Sequence, residues 1–197
     1  MSQRSLLLKS TGEYFHVYNR GVNRGQIFFS EHDYHRFMEL MKKSLINEQL
    51  SIHAFSLMPN HYHMILLQLV PRAMSGYIKR ICESYAKEIN RMNGRSGHLF
   101  EARYKIRAID GMSALVFVSR YIHRNPLRGG LVSLAEEWEY SSCRAYYYYG
   151  GVDCGFLTTE PILKIAGGAD AYRRYVTREL DGSGEEMERY LIDREIS

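Results

Sequence analysis

The chain has 197 residues, 45% of them hydrophobic and 24% charged, with three cysteines and a formal net charge of +4. That length suits one domain, or one domain with a modest extension, and a core of this size folds without a disulfide or metal staple. Cys82, Cys143 and Cys154 have neither metal-knuckle nor redox-pair spacing, which excludes a secreted disulfide scaffold and argues for a reducing compartment. Met1 to Ser10 lacks the apolar centre of a signal peptide and no apolar run reaches membrane-spanning length, so a cytoplasmic protein with no membrane partner is expected.

The charge is unevenly spread. Residues 1–71 carry a net +2, residues 72–128 a net +8 from 12 Lys/Arg against 4 Asp/Glu, and residues 129–197 a net −6. A basic middle beside an acidic tail suits a polyanion such as nucleic acid, unless the charges only line solvated helix faces. The 16 tyrosines suit buried cores and base stacking equally.

In chain order, Tyr14–Arg20 (YFHVYNR) reads as a strand and Gly21–Gly25 as a polar turn. Ser30 begins a helix, with Asp33 completing a capping box and Tyr34, Phe37, Met38, Met41 and Leu45 forming its apolar face. Leu50–Met58 reads as a second strand, Pro59-Asn60 as a turn, and His61–Val70 as a third strand apolar on both faces, hence central in a sheet. Pro71 suits the start of a long helix, with its stripe at Met74, Tyr77, Ile78, Ile81, Tyr85, Ile89 and Met92; Asn93–Gly97 ends it. Tyr104–Asp110 alternates as a fourth strand, and Met112–Asn125 is a helix that Pro126 is expected to stop. The order strand, helix, strand, strand, helix, strand is the βαββαβ pattern of an α+β, ferredoxin-like antiparallel sheet with helices on one face. Gly129-Gly130 divides a core unit, 1–130, from an extension, 131–197, packed on it. The extension holds Trp138 as a packing anchor, a tyrosine run (Tyr146–Tyr149) read as alternating buried rings, helices near Thr159–Ile165 and Ala169–Leu180, and an acidic tail.

Two groups of residues carry chemistry. His61 and His63 are two apart on a strand and so share a face; they suit one metal ion, or core hydrogen bonds. Tyr121 and Asn125 are four apart on a helix, at the edge of the Leu115, Val118, Ile122 stripe, where helix meets sheet. They suit a nucleophile and an amide ligand, or a core tyrosine and a helix cap. Arg120 and Arg124 flank Tyr121 and are placed to meet phosphate.

The segments FHVYNRGVNR, MPNHYHMIL, GHLFEARYKIRAID, SRYIHRNPLRGGL and WEYSS, spread over about residues 14–145, resemble the single-tyrosine HUH transposases. They are most similar to the REP-associated tyrosine transposases of bacteria. The resemblance implies that His61 and His63 bind a divalent ion, that Tyr121 of the YIxxNP motif is the nucleophile, and that Asn125 completes the metal site. It also implies a ferredoxin-like fold, a hairpin-forming palindrome as substrate, and either a monomer or a homodimer exchanging the tyrosine helix. Two imidazoles and an amide oxygen suit Mg²⁺ or Mn²⁺, and the ligand types leave Zn²⁺ open. Attack by Tyr121 on single-stranded or hairpin DNA would leave a 5′-phosphotyrosine and a free 3′-hydroxyl, with no small-molecule cofactor. Arg20, Arg24, Arg103, Lys105, Arg120 and Arg124 are the expected backbone contacts, with Tyr104 stacking on a base. The implied setting is the bacterial nucleoid. The main alternative is a domesticated hairpin-binding protein that no longer cuts; a relaxase or replication initiator, or a metal hydrolase of another substrate, fits the motifs less well.

Overall fold

In a computed structural model of the chain, residues 3–45, 49–148 and 155–179 are described. Tyr149, Cys154, Leu180 and the acidic tail lie outside the described residues. A short helix α1 (Gln3–Leu7), not expected from the sequence, precedes β1 (Glu13–Arg20), α2 (Glu31–Lys43), β2 (Leu50–Met58), β3 (His61–Gln68), α3 (Ala73–Met92), β4 (Lys105–Ala108) and α4 (Met112–Arg128). The strands form one antiparallel sheet in the order β2-β3-β1-β4, the ferredoxin-like arrangement expected from the βαββαβ pattern. The outer strand β2 pairs with β3 across the Pro59-Asn60 turn, the outer strand β4 pairs with β1, and β3 lies between β1 and β2 as its two apolar faces require.

On one face of the sheet Phe15, Val17, Tyr62, Met64 and Leu66 pack against Phe37 and Met41 of α2 and Tyr77, Ile81 and Tyr85 of α3. These two helices stay on that face because their apolar stripes have no other surface to cover. The Asp33 carboxylate accepts the backbone N–H groups of Phe29 (2.8 Å) and Ser30 (2.9 Å), fixing where α2 begins. A register shift between Ile52 and Ala54 restarts the alternation of β2, so Ile52, Phe55 and Leu57 face α2 and α3 while Ala54 turns to the opposite side.

The opposite face is covered by α4 and by α5 (Cys143–Tyr147), α6 (Glu160–Ala166) and α7 (Ala169–Thr177). The sheet is therefore buried on both sides, with α4 between the strands and the extension. Residues 138–142 also run along β2: Trp138 Nε1 donates to the Leu57 carbonyl (2.8 Å), Leu57 N–H to the Tyr140 carbonyl (2.9 Å) and Ser142 N–H to the Phe55 carbonyl (3.0 Å). Tyr140 stacks on Tyr34 with ring centres 4.0 Å apart. These bonds cover a sheet edge that would otherwise present unpaired backbone groups.

Several boundaries differ from the sequence reading, and three of them bear on the sheet or the site. β3 stops at Gln68 and not Val70, because the N–H groups of Leu69 and Val70 turn to the Gln49 carbonyl (3.0 and 3.2 Å). β4 is the four residues Lys105–Ala108 and not Tyr104–Asp110: these are in register with β1, and just past them the Ile109 N–H also reaches that strand, at the Tyr14 carbonyl (2.9 Å). Pro126 does not stop α4. A proline inside a helix forfeits the bond to the carbonyl four residues back, but its own φ is helical. The last turn is held by Gly129 N–H on the Asn125 carbonyl (2.9 Å) and Leu131 N–H on the Pro126 carbonyl (3.0 Å), so the helix runs on to Arg128.

A buried polar chain ties α4 to β2 and α7. Phe55 N–H donates to Ser142 Oγ (2.8 Å), which lies 2.7 Å from His123 Nε2; His123 Nδ1 lies 2.7 Å from the Tyr172 hydroxyl. That hydroxyl donates to Ser119 Oγ (2.9 Å), which donates to the Val116 carbonyl (2.7 Å). Since Tyr172 spends its one proton on Ser119, His123 Nδ1 must carry the hydrogen that meets Tyr172. Ser142 Oγ has both the Phe55 carbonyl (3.2 Å) and His123 Nε2 (2.7 Å) within reach of its one hydrogen; the shorter contact makes Nε2 the acceptor, which sets a neutral His123 in one tautomer.

Candidate functional site

The site lies where the α4 face of β1 and β3 emerges from under α4. Register sets it: Tyr18 pairs with His63 and Arg20 with His61, so period-two alternation puts His16, Tyr18, Arg20, His61 and His63 on one surface. The His61 and His63 rings are 5.0 Å apart and nearly perpendicular (80°). Tyr121 comes in from α4 with its ring 5.8 Å from that of His63 and 6.1 Å from that of His16. Asn125, one turn further along α4, places Oδ1 3.4 Å from His61 Nε2. Strand histidines, helix tyrosine and amide are thus brought together within one chain.

Neighbouring bonds fix which atoms face inward. Asn60 Nδ2 donates to the Arg24 carbonyl (3.0 Å), which turns Asn60 Oδ1 to accept from His61 Nδ1 (2.6 Å). With Nδ1 carrying that hydrogen, His61 Nε2 meets Asn125 Oδ1 either with a second proton or with a cation between two lone pairs. Their 3.4 Å separation resembles that of adjacent ligands on an octahedral ion, about 3 Å for bonds near 2.1 Å. His63 Nδ1 lies 3.0 Å from His16 Nε2, so a metal would be taken by His63 Nε2. Burial, with the Arg128 charge adding to it, drives the His63 imidazole down to about 3, and burial together with His63 and Arg107 holds His16 well below the usual range. Both rings are therefore neutral at physiological pH, as ligation requires. Among the described residues no three His, Cys, Asp or Glu side chains converge on a metal position. Two imidazoles and the Asn125 amide could hold a metal, and as nitrogen and oxygen donors they fit a divalent ion.

Beside the histidines opens a cleft of about 210 Å³, lined by Tyr18, Arg20, Arg24, Asn60, Arg103 and Lys105 with His61, His63 and Glu101. Four of the expected DNA contacts, Arg20, Arg24, Arg103 and Lys105, line this one cleft. Arg20 is held by the Glu101 carboxylate across its mouth.

Three expected contacts lie elsewhere. Tyr104 belongs to the core against α3, with the Arg4 guanidinium 4.4 Å over its ring, and offers no face to a base. Arg120 and Arg124 point away from the cleft and are 1% and 6% exposed. Arg120 donates to the Tyr175 carbonyl (2.8 Å) and to that of Arg178. Arg124 donates to the Val176 carbonyl (2.7 Å) and to Glu179 Oε1 (2.9 Å). At helical spacing, residues one before and three after Tyr121 lie about 100° and 60° round the helix from it, and here that flank is covered by the extension.

Besides Tyr18, Asn60 and Glu101 of the cleft, two residues beside Tyr121 and His63 were not singled out from the sequence. His16 shares its strand face with Tyr18 and Arg20, a period-two signal, but only the pairing of β1 with β3 puts it against His63. Arg128 is seven residues after Tyr121, two helical turns, and its guanidinium lies 5.3 Å over the Tyr121 ring. Ending the helix at Asn125 hid that relation.

A family model described as "Transposase IS200 like" matches residues 9–125, which span every residue of the site except Arg128. The fold is similar to that of a solved REP-associated tyrosine transposase bound to a REP hairpin. That match has a TM-score of 0.60 and 20% identity, and covers 73% of this chain and 84% of that one. No curated protein matches the chain. No helix among the described residues is long and apolar enough to cross a membrane.

Proposed function

Since the chain belongs to the IS200-like transposases, we propose that it cuts single-stranded or hairpin DNA with Tyr121 and rejoins strands through a 5′-phosphotyrosine. The observation that carries this reading is the facing of His61 Nε2 and Asn125 Oδ1 at 3.4 Å beside the Tyr121 ring. His61, His63 and Asn125 would hold the divalent ion, which when bound polarises the scissile phosphate. Tyr121 then supplies its phenolic oxygen to phosphorus. The new P–O bond forms as the bond to the 3′-oxygen breaks, and the proton lost by the phenol is balanced by the one that oxygen takes up, directly or through water, to leave as a hydroxyl. A 3′-hydroxyl of the same or another strand reverses the step and releases Tyr121. No energy source is needed, because one ester replaces another. His16 orients His63, and Arg20, Arg24, Arg103 and Lys105 hold the backbone in the cleft. The hairpin in the similar solved structure supports a hairpin as the substrate here.

Tyr121 lies against the His63 of its own chain, so a monomer can complete the site in cis; a homodimer that exchanges α4 would use the same residues. Tyr121 is also 2% exposed, so DNA reaches its hydroxyl only when the wall between it and the cleft opens. That burial favours one other reading, a hairpin-binding protein that no longer cuts. Incubating a labelled hairpin with Mn²⁺ and resolving the products on a denaturing gel separates the two. The transposase gives a covalent protein–DNA adduct that Tyr121→Phe abolishes while binding persists, and that His61→Ala or His63→Ala also abolishes. No adduct from the unaltered chain, or one of equal yield from Tyr121→Phe, overturns the assignment.

A further inference from the structure

The side of α4 turned away from the catalytic residues is polar, buried and hydrogen-bonded to the extension. Ser119 and His123 join the chain that runs to Tyr172 and Ser142. Arg120 and Arg124 close around the end of α7, where helix carbonyls lack partners within the helix and the macrodipole is negative. Between them the two guanidiniums take the carbonyls of Tyr175, Val176 and Arg178 and the carboxylate of Glu179, and Arg120 also lies 5.2 Å over the Tyr175 ring. An apolar helix contact tolerates sliding, whereas forked guanidinium bonds to particular carbonyls are satisfied in one register only. A shift of α4 along or about its axis breaks them and leaves buried charges without partners.

From this geometry we infer that Arg120 and Arg124 are positioning residues for the cleavage chemistry: by clasping the end of α7 they set the rotation and height of α4, and with them the places of Tyr121 and Asn125 over His61 and His63. The extension is then a working part of the catalytic apparatus. Tyr121 and Asn125 face the sheet from the same two turns whose other side is clasped, so an error at the clasp is carried to both. This rests on the proposed role of Tyr121.

The test uses the full chain. Arg120→Gln with Arg124→Gln removes both forks, and Arg120→Lys keeps the charge and length but loses the fork. Three quantities are read: hairpin affinity at fixed salt, single-turnover rate of adduct formation with Mn²⁺, and amide hydrogen exchange without DNA or metal. Neither arginine lines the cleft, so hairpin affinity stays within about threefold. Displacement of the nucleophile by an ångström slows adduct formation ~10- to 100-fold. Exchange quickens in residues 112–128 while β1 and β3 stay protected. Arg120→Lys falls between the double variant and the unaltered chain. The inference is overturned if adduct formation keeps its rate, or if affinity and rate fall by one factor with protection lost across the sheet, the pattern of general unfolding. Should the double variant not fold, Arg120→Lys alone decides by the same comparison. A failure of the Tyr121 assignment shows separately, as absence of adduct from the unaltered chain, and the exchange measurement then still tests the clasp.

Discussion

His123 gives the fold a pH dependence whose size follows from its surroundings. Fully buried between Ser142 and Tyr172, its imidazole is driven by burial down to about 3, against about 6.5 in an unfolded chain. The unfolded state takes up a proton as pH falls below the higher value, and the native state does not until near the lower one. The contribution of neutral His123 is therefore complete above ~6.5 and lost as pH falls, at ~1.4 kcal/mol per pH unit. His123→Gln cannot titrate and keeps only part of the bonding, so at pH 7.5 it should be less stable by ~1–2 kcal/mol. Two units below the unfolded value, at pH 4.5, the unaltered chain has lost ~2.7 kcal/mol that the variant never had to lose. The two stability curves should thus cross at about pH 5–6. Urea unfolding of both proteins at half-unit steps, with a chelator present, measures this directly. Curves that stay parallel down to pH 4.5 would mean that the native His123 is already protonated or hydrated, and the donor order assigned above would be wrong.

Replacing Arg20, Arg24, Arg103 or Lys105 with Ala should each lower the slope of log affinity against log salt by ~0.7 for a single strand, and Arg120→Gln should leave it unchanged; filter binding over a salt series reads both. Glu101→Gln frees Arg20 at the cleft mouth and should tighten hairpin binding by a few-fold, an effect absent in an Arg20→Ala background. Arg128→Met removes the cation over the Tyr121 ring and should slow single-turnover adduct formation by a few-fold, read on a denaturing gel. His16→Leu should weaken Mn²⁺ binding ~10- to 100-fold by calorimetry, with hairpin affinity without metal unaltered.

The sheet was legible because its signals are local. The βαββαβ order follows from the alternation in YFHVYNR and YKIRAID, the two-faced apolar run from His61, and the helical stripes of α2 and α3, and the structure has that order. Element ends were less so. Pro126 marks where a helix tends to stop, but two backbone bonds beyond it and a buried setting carried α4 on by three residues. The lost turn mattered, since Arg128 joins the site only through it. His16 was missed for a different reason. Its partner is 47 residues away, and pairing register is a property of two strands that neither states alone.

The misreading of Arg120 and Arg124 has a physical cause that bears on the whole site. A charged residue beside a nucleophile in a basic segment reads as a phosphate contact, because charge is seldom buried. The exception requires a partner that can satisfy a guanidinium fully, and the end of a helix is one: several carbonyls, closely spaced, with the negative end of the dipole behind them. α7 supplies that partner from some 50 residues downstream. The +8 net charge of residues 72–128 is thus put to two uses. Arg103 and Lys105 face the cleft, where charge is read by salt-dependent binding, while Arg120 and Arg124 face inward, where it is spent on geometry. Adjacent positions of α4 serve the two ends in alternation, Arg120 and Arg124 toward the extension, Tyr121 and Asn125 toward the histidines. A helix sandwiched in this way cannot be assigned from its own stripe, because each face is defined by what covers it.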